Sequence, residues 1–431
     1  MGVRLELPEL HGSGDDRSNL KESTSSGGGA LFVLNTSLRY PGPVAVWILA
    51  AGWAGAAERR WGNAWICTPE GIMTSEEALV LATGVRATRR RAPRKLPFTG
   101  TINVFRKDVV TALRAFQFRD AAVGGPWHGH RLQFVWQYHS LFQRAGFVAA
   151  RHYGVPLVLF VDAPIVWEGD RWGVRRPGWG GILERAGELP QLRAADIVAC
   201  VSAEVAEVVH ARGVPSDRII VTPCRVDLDR FHPNVSAARV RERFALNGKF
   251  VVGLTGSFRR FHGVELLLHC YARLEKLRRD CALLLVGDGL DRPRLEKMVT
   301  DLRLQNVTFT GSVAHSEMPE YVAALDVGVV LDPSGDGFHY SPLKLREYMA
   351  VGRPAIVPSS GEMARTIHHD REALMIPPAN EDALLAALLR LHDDVPLRAR
   401  LSRAGREHAQ NTGSWTEALL QVQAALEHGV A

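Results

Sequence analysis

The segment 341–350 is the part of the sequence whose residue types and spacing best suit a charged ligand. It reads Ser-Pro-Leu-Lys-Leu-Arg-Glu-Tyr-Met-Ala, and Ser341 is expected to cap a helix that has Pro342 at its first position. Lys344 and Glu347 are three residues apart and therefore share a helix face. Lys344 and the free N–H groups of the helix end could bind a phosphate, and Glu347 could accept hydrogen bonds from a ribose diol. From this segment alone, a surface ion pair at helical spacing is the better interpretation.

The segment 253–263 is rich in glycine and carries two consecutive arginines. It reads Gly-Leu-Thr-Gly-Ser-Phe-Arg-Arg-Phe-His-Gly and lies between an apolar run and a helical pattern. Glycine lets the backbone approach a ligand closely, and Arg259 and Arg260 add positive charge. The alternative interpretation is an ordinary turn between a strand and a helix.

The second half of the sequence alternates short apolar runs with segments of helical period, which predicts a parallel sheet covered by helices. Its first helical segment has one apolar face, formed by Val264, Leu267, Leu268, Tyr271 and Leu274. Strands are predicted at residues 250–255, 282–286, 307–310, 327–331, 355–357 and 373–376.

The first half shows the same alternation less regularly. Strands are predicted at residues 31–34, 64–67, 134–138, 155–161, 197–201 and 219–222. Helices are predicted from Val44 onward and at residues 141–152 and 203–211, and the polar stretch 235–248 is predicted to be a hinge. We therefore predict an α/β protein with a disordered lead-in over residues 1–29, two Rossmann-like domains over 30–235 and 236–400, and C-terminal helices over 401–431. Because ligands bind at the carboxyl ends of parallel strands, facing sheets would place the site in the cleft between the domains.

Length and composition agree with a two-domain globular protein. The chain has 431 residues, a length greater than one hydrophobic core usually serves. Apolar residues make up 46% of it and charged residues 23%, an ordinary globular composition. The longest apolar run is interrupted by Gly52 and Gly55, so no membrane-spanning helix is predicted. The five cysteines are scattered without a C-x-x-C pair, which predicts reduced thiols in a cytoplasmic protein.

The net charge of +6 fits an anionic ligand, a nucleic acid or a lipid headgroup. The densest basic run consists of Arg86, Arg89, Arg90, Arg91, Arg94 and Lys95. No aromatic residue is interleaved with this run, which disfavours a platform for single-stranded nucleic acid. A solvated loop is the preferred interpretation, and peripheral contact with an acidic acceptor or the inner membrane face is the alternative.

Several further motifs follow one another along the chain. They are Val201-Ser202, Thr222-Pro223, Val226-Asp227 with Phe231 and Pro233, the turn 256–263, Leu285-Val286-Gly287-Asp288-Gly289, the segment 307–313, the segment 341–350, and Val351-Gly352-Arg353-Pro354. In this order they resemble glycosyltransferase family 4, a family of retaining enzymes with the GT-B fold. The resemblance covers residues 197 onward by motif and the earlier half by architecture.

The resemblance implies a donor site in the second domain. Arg259, supported by Arg260, and Lys344 would hold the donor diphosphate, Glu347 would bind the ribose, and the backbone near Val313 would meet the base. Other donor contacts are expected from Gly42, Ser257, His339, Ser341 and Leu343.

The resemblance also implies roles for residues of the first domain. His139 would reach the donor sugar or the acceptor, ahead of His128, His130 and His152, and it joins Arg259 and Lys344 as a catalytic candidate. Asp162 and Glu168 would line the acceptor pocket. The alternatives are a packed structural histidine and carboxylates that only stabilise turns.

The sequence departs from the family pattern at a few positions. His339 stands where the family has the glutamate that pairs with Glu347, and His262 stands where it has a lysine. Cys224-Arg225 replaces Asn-Gly, and Pro41-Gly42-Pro43 replaces a double glycine. Asp227-Leu228-Asp229 spells a metal-binding D-x-D, but at the domain junction we interpret it as a structural turn and predict no metal.

The implied function is retaining transfer of a hexosyl group from a nucleotide-diphosphate sugar to a hydroxyl of a small-molecule, glycan or lipid-linked acceptor, with no other cofactor. The nearest alternative is a GT-B epimerase of a sugar nucleotide, and a more distant one is a basic nucleic-acid-binding protein. A dehydrogenase is disfavoured because Arg292 occupies the third glycine position of G-x-G-x-x-G.

Overall fold

The computed structural model describes residues 28–35, 44–84, 99–172, 174–335 and 339–429. The first domain contains a sheet of seven strands: β1 Gly28–Val33, β2 Asn63–Thr68, β3 Gly71–Met73, β4 Arg131–Tyr138, β5 Leu157–Val161, β6 Ile197–Cys200 and β7 Ile219–Val221. Their spatial order is β3-β2-β1-β4-β5-β6-β7, and every neighbouring pair is parallel except β2 with β3.

Helices cover the first sheet, so its central strands are buried on both faces. The sequences of β5, Leu-Val-Leu-Phe-Val, and of β6, Ile-Val-Ala-Cys, are continuously apolar for this reason. The helices are α1 Val44–Trp61, α2 Ser75–Gly84, α3 Thr99–Gln117, α4 Ala145–Tyr153, α5 Ile165–Arg171, α6 Gly180–Leu183, a π-helical turn Glu184–Glu188, α7 Leu189–Ala194 and α8 Ala203–His210.

The second domain has a six-stranded parallel sheet. Its strands are β8 Phe250–Thr255, β9 Cys281–Val286, β10 Val307–Gly311, β11 Val327–Val329, β12 Ala355–Pro358 and β13 Leu374–Ile376. Their order is β10-β9-β8-β11-β12-β13. Strands β9 and β10 lie on one side of β8 and strands β11 to β13 on the other, so the strand order reverses between β8 and β11. The helices are α9 Ala238–Arg243, α10 Val264–Leu277, α11 Arg292–Asp301, α12 Met318–Ala323, α13 Leu343–Ala350, α14 Gly361–Thr366, α15 Glu381–Asp393, α16 Val395–Asn411 and α17 Trp415–Gly429.

The predicted α/β class and the two sheets are confirmed, with two corrections in the first half. The lead-in was predicted to reach residue 29, but Gly28 already pairs with Arg131 in β1, and residues 1–27 lie outside the described part. The helix predicted from residue 141 begins only at Ala145, because Phe142 has φ +60°, which right-handed helices exclude.

The stretch 235–248 is bonded to the second domain, and its role as a hinge stays a prediction. It contains α9, whose Arg241 contacts Asp326 at 2.7 Å. Arg239 of the same helix contacts Glu317 at 2.8 Å and Glu320 at 2.7 Å. These three ion pairs attach the stretch to the sheet and helices that follow it.

The C-terminal helix returns to the first domain. Trp415 at the start of α17 is buried, and its ring lies 6.0 Å from that of Trp53 in α1. A Cβ at Gly52 would overlap the Trp415 ring, so glycine lets the two helices approach closely. The core of the first domain therefore includes residues from both ends of the chain.

The five cysteines, Cys67, Cys200, Cys224, Cys270 and Cys281, are buried free thiols. Burial raises the pKa of each of them to about 12. Such thiols are unreactive, and their free state agrees with the predicted reduced thiols. Within the described residues, no helix is long and apolar enough to cross a bilayer.

Candidate active site

The turn after β8 is held in place by the backbone of its neighbours. The Gly256 N–H donates to the Val286 carbonyl at 2.9 Å, and Gly256 has φ +121°, which side chains strongly disfavour. A Cβ at Gly287 would overlap the Gly256 carbonyl oxygen. The two glycines therefore allow the loops after β8 and β9 to lie in direct contact at the carboxyl end of the sheet.

Helix α13 is fixed to the same end of β8. The Tyr348 hydroxyl accepts a hydrogen bond from the Thr255 N–H at 2.8 Å and lies 3.1 Å from the Thr255 Oγ1. One turn earlier, Lys344 extends toward the glycine turn, where a Cβ at Gly256 would lie 3.6 Å from both Cε and Nζ. The strand thus positions the first turn of α13 and directs an ammonium group at the loop.

Lys344 and Glu347 are both buried, so the alternative of a surface ion pair is wrong. Burial lowers the pKa of Lys344 to about 8, with Glu347 opposing the shift. Burial raises the pKa of Glu347 to about 7, opposed by Lys344. Within the described residues neither side chain has a hydrogen-bond partner, so both retain capacity for a ligand.

His262 adds an uncharged imidazole beside Lys344. Its Nδ1–H donates to the Ser257 carbonyl, and burial, Lys344 and Arg259 together hold its pKa well below the usual range. A neutral imidazole at this position adds no further positive charge to the cluster.

The two arginines of the turn differ in their surroundings. The Arg259 guanidinium lies over the Phe261 ring, 5.8 Å from its centroid. Its positive charge helps to lower the pKa of His262. The Arg260 side chain is 83% exposed and lies 4.0 Å from Asp291. The structure therefore brings Arg259 into the cluster with Lys344 and leaves Arg260 at its margin, while Ser257 is exposed on the turn.

His139 follows β4 in the first domain and lies in a closed environment. Its Nε2 is 2.9 Å from Glu188 Oε1, and neither side chain is exposed. The other ring nitrogen, Nδ1, is buried without a hydrogen-bond partner among the described residues. The imidazole is thus oriented by Glu188, with one polar atom unused.

Glu188 belongs to the π-helical turn and was not anticipated from the sequence. Besides His139, it accepts hydrogen bonds from the N–H groups of Ile165 at 2.6 Å and Val166 at 3.1 Å. Burial alone would raise the pKa of Glu188, but His139 and the two N–H groups lower it. A single carboxylate therefore fixes both His139 and the start of α5; nothing in the local sequence distinguishes it from a surface glutamate.

Helix α5 reaches the second domain at His339. The His339 Nε2 lies 3.6 Å from Glu168 Oε1, and the Trp167 ring lies 5.1 Å from the imidazole. His339 is buried, and its Nδ1 has no partner among the described residues. Glu168, predicted at the acceptor pocket, is thus the carboxylate that faces the position where the family has its own glutamate.

Ser341 joins the two domains rather than capping the helix, which corrects the predicted N-cap. Its Oγ accepts a hydrogen bond from the Cys224 N–H at 3.1 Å, and α13 begins at Leu343 with Pro342 as the preceding residue. Ser341 therefore precedes the capping position, which Pro342 occupies without a side-chain hydrogen bond to the helix. The His339 carbonyl likewise accepts a hydrogen bond from the Ser202 hydroxyl, a second link between the domains.

The remaining predicted residues have mixed positions. The Asp162 Oδ2 accepts a hydrogen bond from the Tyr138 hydroxyl, and burial and Glu168 raise the pKa of Asp162. Leu343 packs against the hydrophobic core of the first domain and Val313 against a core cluster of the second. Gly42 lies outside the described residues.

The lesser histidine candidates and the D-x-D motif stay apart from this cluster. His128, His130 and His152 are exposed. The Asp227 Oδ1 accepts a hydrogen bond from the Asp229 N–H at 3.0 Å. Aspartate side chains commonly stabilise turns in this way.

Among the described residues, one group of three potential metal ligands occurs, formed by Asp280, Cys281 and His392. It lies at the amino end of β9, opposite to the site. His392 is already engaged there by Asp280 and Asp393.

Two family models match successive parts of the chain. The model described as Glycosyltransferase Family 4 matches residues 26–230, and that described as Glycosyl transferases group 1 matches residues 249–394. Both domains are therefore matched by models of glycosyltransferases.

Curated relatives point the same way. An MMP alpha-(1→4)-mannosyltransferase of Mycolicibacterium hassiacum is 29% identical over 295 residues, which are 64% of this chain and 66% of the relative. A D-inositol 3-phosphate glycosyltransferase of Pseudarthrobacter chlorophenolicus is 30% identical over 249 residues, 54% of this chain and 58% of the relative. The chain thus spans between half and two thirds of the length of these relatives.

Solved structures share the fold over nearly the whole chain. HepE of Anabaena, in complex with UDP and glucose, has a TM-score of 0.64 at 16% identity and covers 92% of this chain and 99% of its own. Sucrose-phosphate synthase of Thermosynechococcus elongatus has a TM-score of 0.63 at 20% identity, covering 93% and 98%. These matches do not favour an epimerase or a nucleic-acid-binding protein. The chain, with its two Rossmann-like domains, belongs to glycosyltransferase family 4 and has the GT-B fold.

Proposed function

We propose that this protein is a retaining glycosyltransferase that moves a hexosyl group from a nucleotide-diphosphate sugar to an acceptor hydroxyl. The observation that carries the proposal is the pair of buried, unpartnered groups, Lys344 and Glu347, at the start of α13. Burying an ammonium and a carboxylate without partners is costly, which is the expected property of groups reserved for a ligand. One positive and one negative group match a diphosphate and a ribose diol.

A hexose donor is supported by the chemistry of the relatives. One of them, from Mycolicibacterium smegmatis, is named a GDP-mannose-dependent mannosyltransferase, and HepE has been solved with UDP-glucose. Both donors combine a ribonucleoside diphosphate with a hexose. The diphosphate and the ribose that these donors share would meet Lys344 and Glu347 here, whichever base is used.

The proposed step breaks the bond between the anomeric carbon and the β-phosphate oxygen and forms a bond from the acceptor oxygen on the same face. The departing phosphate oxygen takes the proton of the acceptor hydroxyl. Arg259, Lys344 and the first N–H groups of α13 stabilise the charge that develops on the diphosphate. His139, through its free Nδ1, would contact the reacting sugar.

The acceptor is proposed to enter along the first domain, past Glu168 and Asp162. It would be a small molecule, a glycan or a lipid-linked sugar. The basic run 86–95 lies outside the described residues. Its contact with an acidic acceptor or the inner membrane face, the alternative to a solvated loop, therefore stays a prediction.

Calorimetry with UDP, GDP, ADP and TDP sugars tests the donor site directly. Lys344→Ala should weaken binding of the preferred donor by about 1–3 kcal/mol, the range for a hydrogen bond to a charged group. Glu347→Gln should weaken binding of the ribonucleotide more than of its 2′-deoxy analogue. Lys297→Ala, on the exposed face of α11, is the matched control and should bind normally. Undiminished affinity in both site variants would show that the donor binds elsewhere.

Turnover of the preferred donor tests the outcome of the reaction. The anomeric configuration of the product, read by NMR, should equal that of the donor, and an inverted product would contradict the proposed route. We propose that no metal takes part, so activity should persist in EDTA. Loss of activity in EDTA that magnesium or manganese restores would contradict this part.

A further inference from the structure

Helix α3 presents a stripe of large apolar side chains to solvent. The stripe consists of Ile102, Phe105, Val109, Leu113 and Phe116, each between 42% and 73% exposed. Their spacings of three and four residues place them on one face over four helical turns. Large apolar side chains that form a continuous exposed face usually mark a surface that binds something.

On the side of α3 away from the stripe, one buried carboxylate attaches the helix to the segment after α5. Asp108 is buried and accepts hydrogen bonds from Arg176 Nε at 2.9 Å and from Trp179 Nε1 at 3.0 Å. Ala115 is also buried. The helix therefore cannot rotate to hide its apolar side chains without breaking a buried ion pair.

The charges of α3 are unevenly distributed around the stripe. Asp108 is its single acidic residue and is neutralised by Arg176, whereas Arg106, Lys107 and Arg114 are all basic. Arg106 and Lys107 are exposed. An apolar face bordered by basic residues on one side, on a helix whose single acid is paired, is complementary to a surface that is apolar below and negatively charged above.

We propose that the apolar stripe of α3 docks on an anionic lipid bilayer, with its side chains at the boundary between headgroups and acyl chains. Charge complementarity favours this occupant over a second copy of the chain, which would present the same positive charge.

The docked helix would lie beside the proposed acceptor wall. The ring centroids of Phe105, in the stripe, and Trp179 lie 5.4 Å apart. Trp179 and Arg176 both donate hydrogen bonds to the Asp108 carboxylate. This segment directly follows α5, which carries Glu168 toward His339. An acceptor held in the bilayer would therefore enter the site from this side. This consequence rests on the proposed function, whereas the docking of α3 does not.

Sedimentation of the full chain with vesicles tests the docking without any sugar nucleotide. The protein should bind vesicles of phosphatidylcholine mixed with phosphatidylglycerol, less so in high salt, and bind vesicles of phosphatidylcholine alone weakly. The double variant Ile102→Ser/Phe116→Ser removes two exposed anchors and should reduce partitioning about tenfold or more. Leu277→Ser/Leu290→Ser, which removes two exposed leucines from the second domain, is the matched control and should bind like the wild type.

Donor calorimetry and thermal melting on the same variants separate docking from catalysis and from folding. The stripe variant should keep the wild-type melting temperature and donor affinity, because its side chains contact neither the core nor the site. Equal vesicle binding by the stripe variant and the wild type would overturn the proposal. A wild-type dimer that the variant converts to a monomer, without vesicle binding in either, would overturn it in favour of an interface between two copies.

Discussion

Lys344 and Glu347 titrate close to neutral pH because burial shifts their pKa values toward each other. The ligand-binding form needs a protonated Lys344, present below about 8, and an ionised Glu347, present above about 7. Donor affinity should therefore be highest between these values and fall on both sides. Calorimetry across pH checks this, and Glu347→Gln should abolish the acid limb alone. An affinity that is flat from pH 6 to pH 9 would contradict the assigned roles.

His139 and Glu188 form a second residue pair, in which the carboxylate orients the imidazole. His139→Ala should lower kcat and leave donor affinity nearly unchanged, since the contact is made mainly with the reacting sugar. Glu188→Gln should lower kcat in the same way, because its amide cannot hold the imidazole in one orientation. His152→Ala, which removes an exposed histidine of the same domain, is the control.

Melting temperatures of these variants separate a chemical role from a structural one. A well-folded His139→Ala enzyme with full turnover would reject the catalytic role. Turnover that falls only in proportion to unfolding would make His139 and Glu188 a packed structural pair.

At the residue scale, the sequence reveals partners that are close along the chain and misses those that are distant. Lys344 and Glu347 share a helix turn, so their pairing follows from spacing. The contacts of His139 with Glu188 and of Glu168 with His339 join residues that are far apart in the sequence. No local pattern encodes either contact. The sequence also did not predict the burial of Lys344 and Glu347, because exposed and buried ion pairs on a helix have the same spacing.

At the scale of elements, the loops after β8 and β9 support each other through backbone contact. Gly287→Ala would place a Cβ against the Gly256 carbonyl and force φ +139° on alanine. We expect a loss of about 1–3 kcal/mol in unfolding free energy from backbone strain, and a weaker donor affinity because the Gly256 turn must move. Denaturant unfolding and calorimetry measure the two effects.

Gly248→Ala is the matched control for this loop. Gly248 also has a positive φ, of +74°, but its Cβ would meet no atom within 4 Å. It should therefore lose stability through its backbone alone and keep donor affinity. Normal donor affinity in Gly287→Ala would mean that the two loops do not depend on each other.

Strands of the second domain could be located from sequence because each is a short apolar run bounded by turn residues. The ends of helices were harder to predict from the sequence, because they depend on tertiary contacts. The start of α13 is one example, because the Ser341 hydroxyl accepts a hydrogen bond from the Cys224 N–H of the other domain. The start of α4 is another, because Phe142 is held in a left-handed conformation by its N–H bond to Gly187.

At the scale of the whole molecule, direct bonds connect the two domains beside the site. Arg365 of the second domain contacts Glu204 of the first at 2.6 Å, in addition to the bonds of Ser202 and Ser341. The two-domain arrangement follows from chain length and strand count, but these connections do not. They fix the relative position of His339 and Glu168, and any opening of the cleft must break or stretch them.

The packing of α17 on α1 has a consequence for synthesis on the ribosome. Trp415, Ala418, Leu419, Val422 and Leu426 complete a core whose other buried members, including Trp53, lie between Ala30 and Cys224. The first domain therefore leaves the exit tunnel with an uncovered tryptophan and stays incomplete while the entire second domain is translated. A nascent chain in this condition exposes an apolar surface that chaperones bind, and a message truncated before codon 415 would yield an aggregation-prone product even though every strand of both sheets is present.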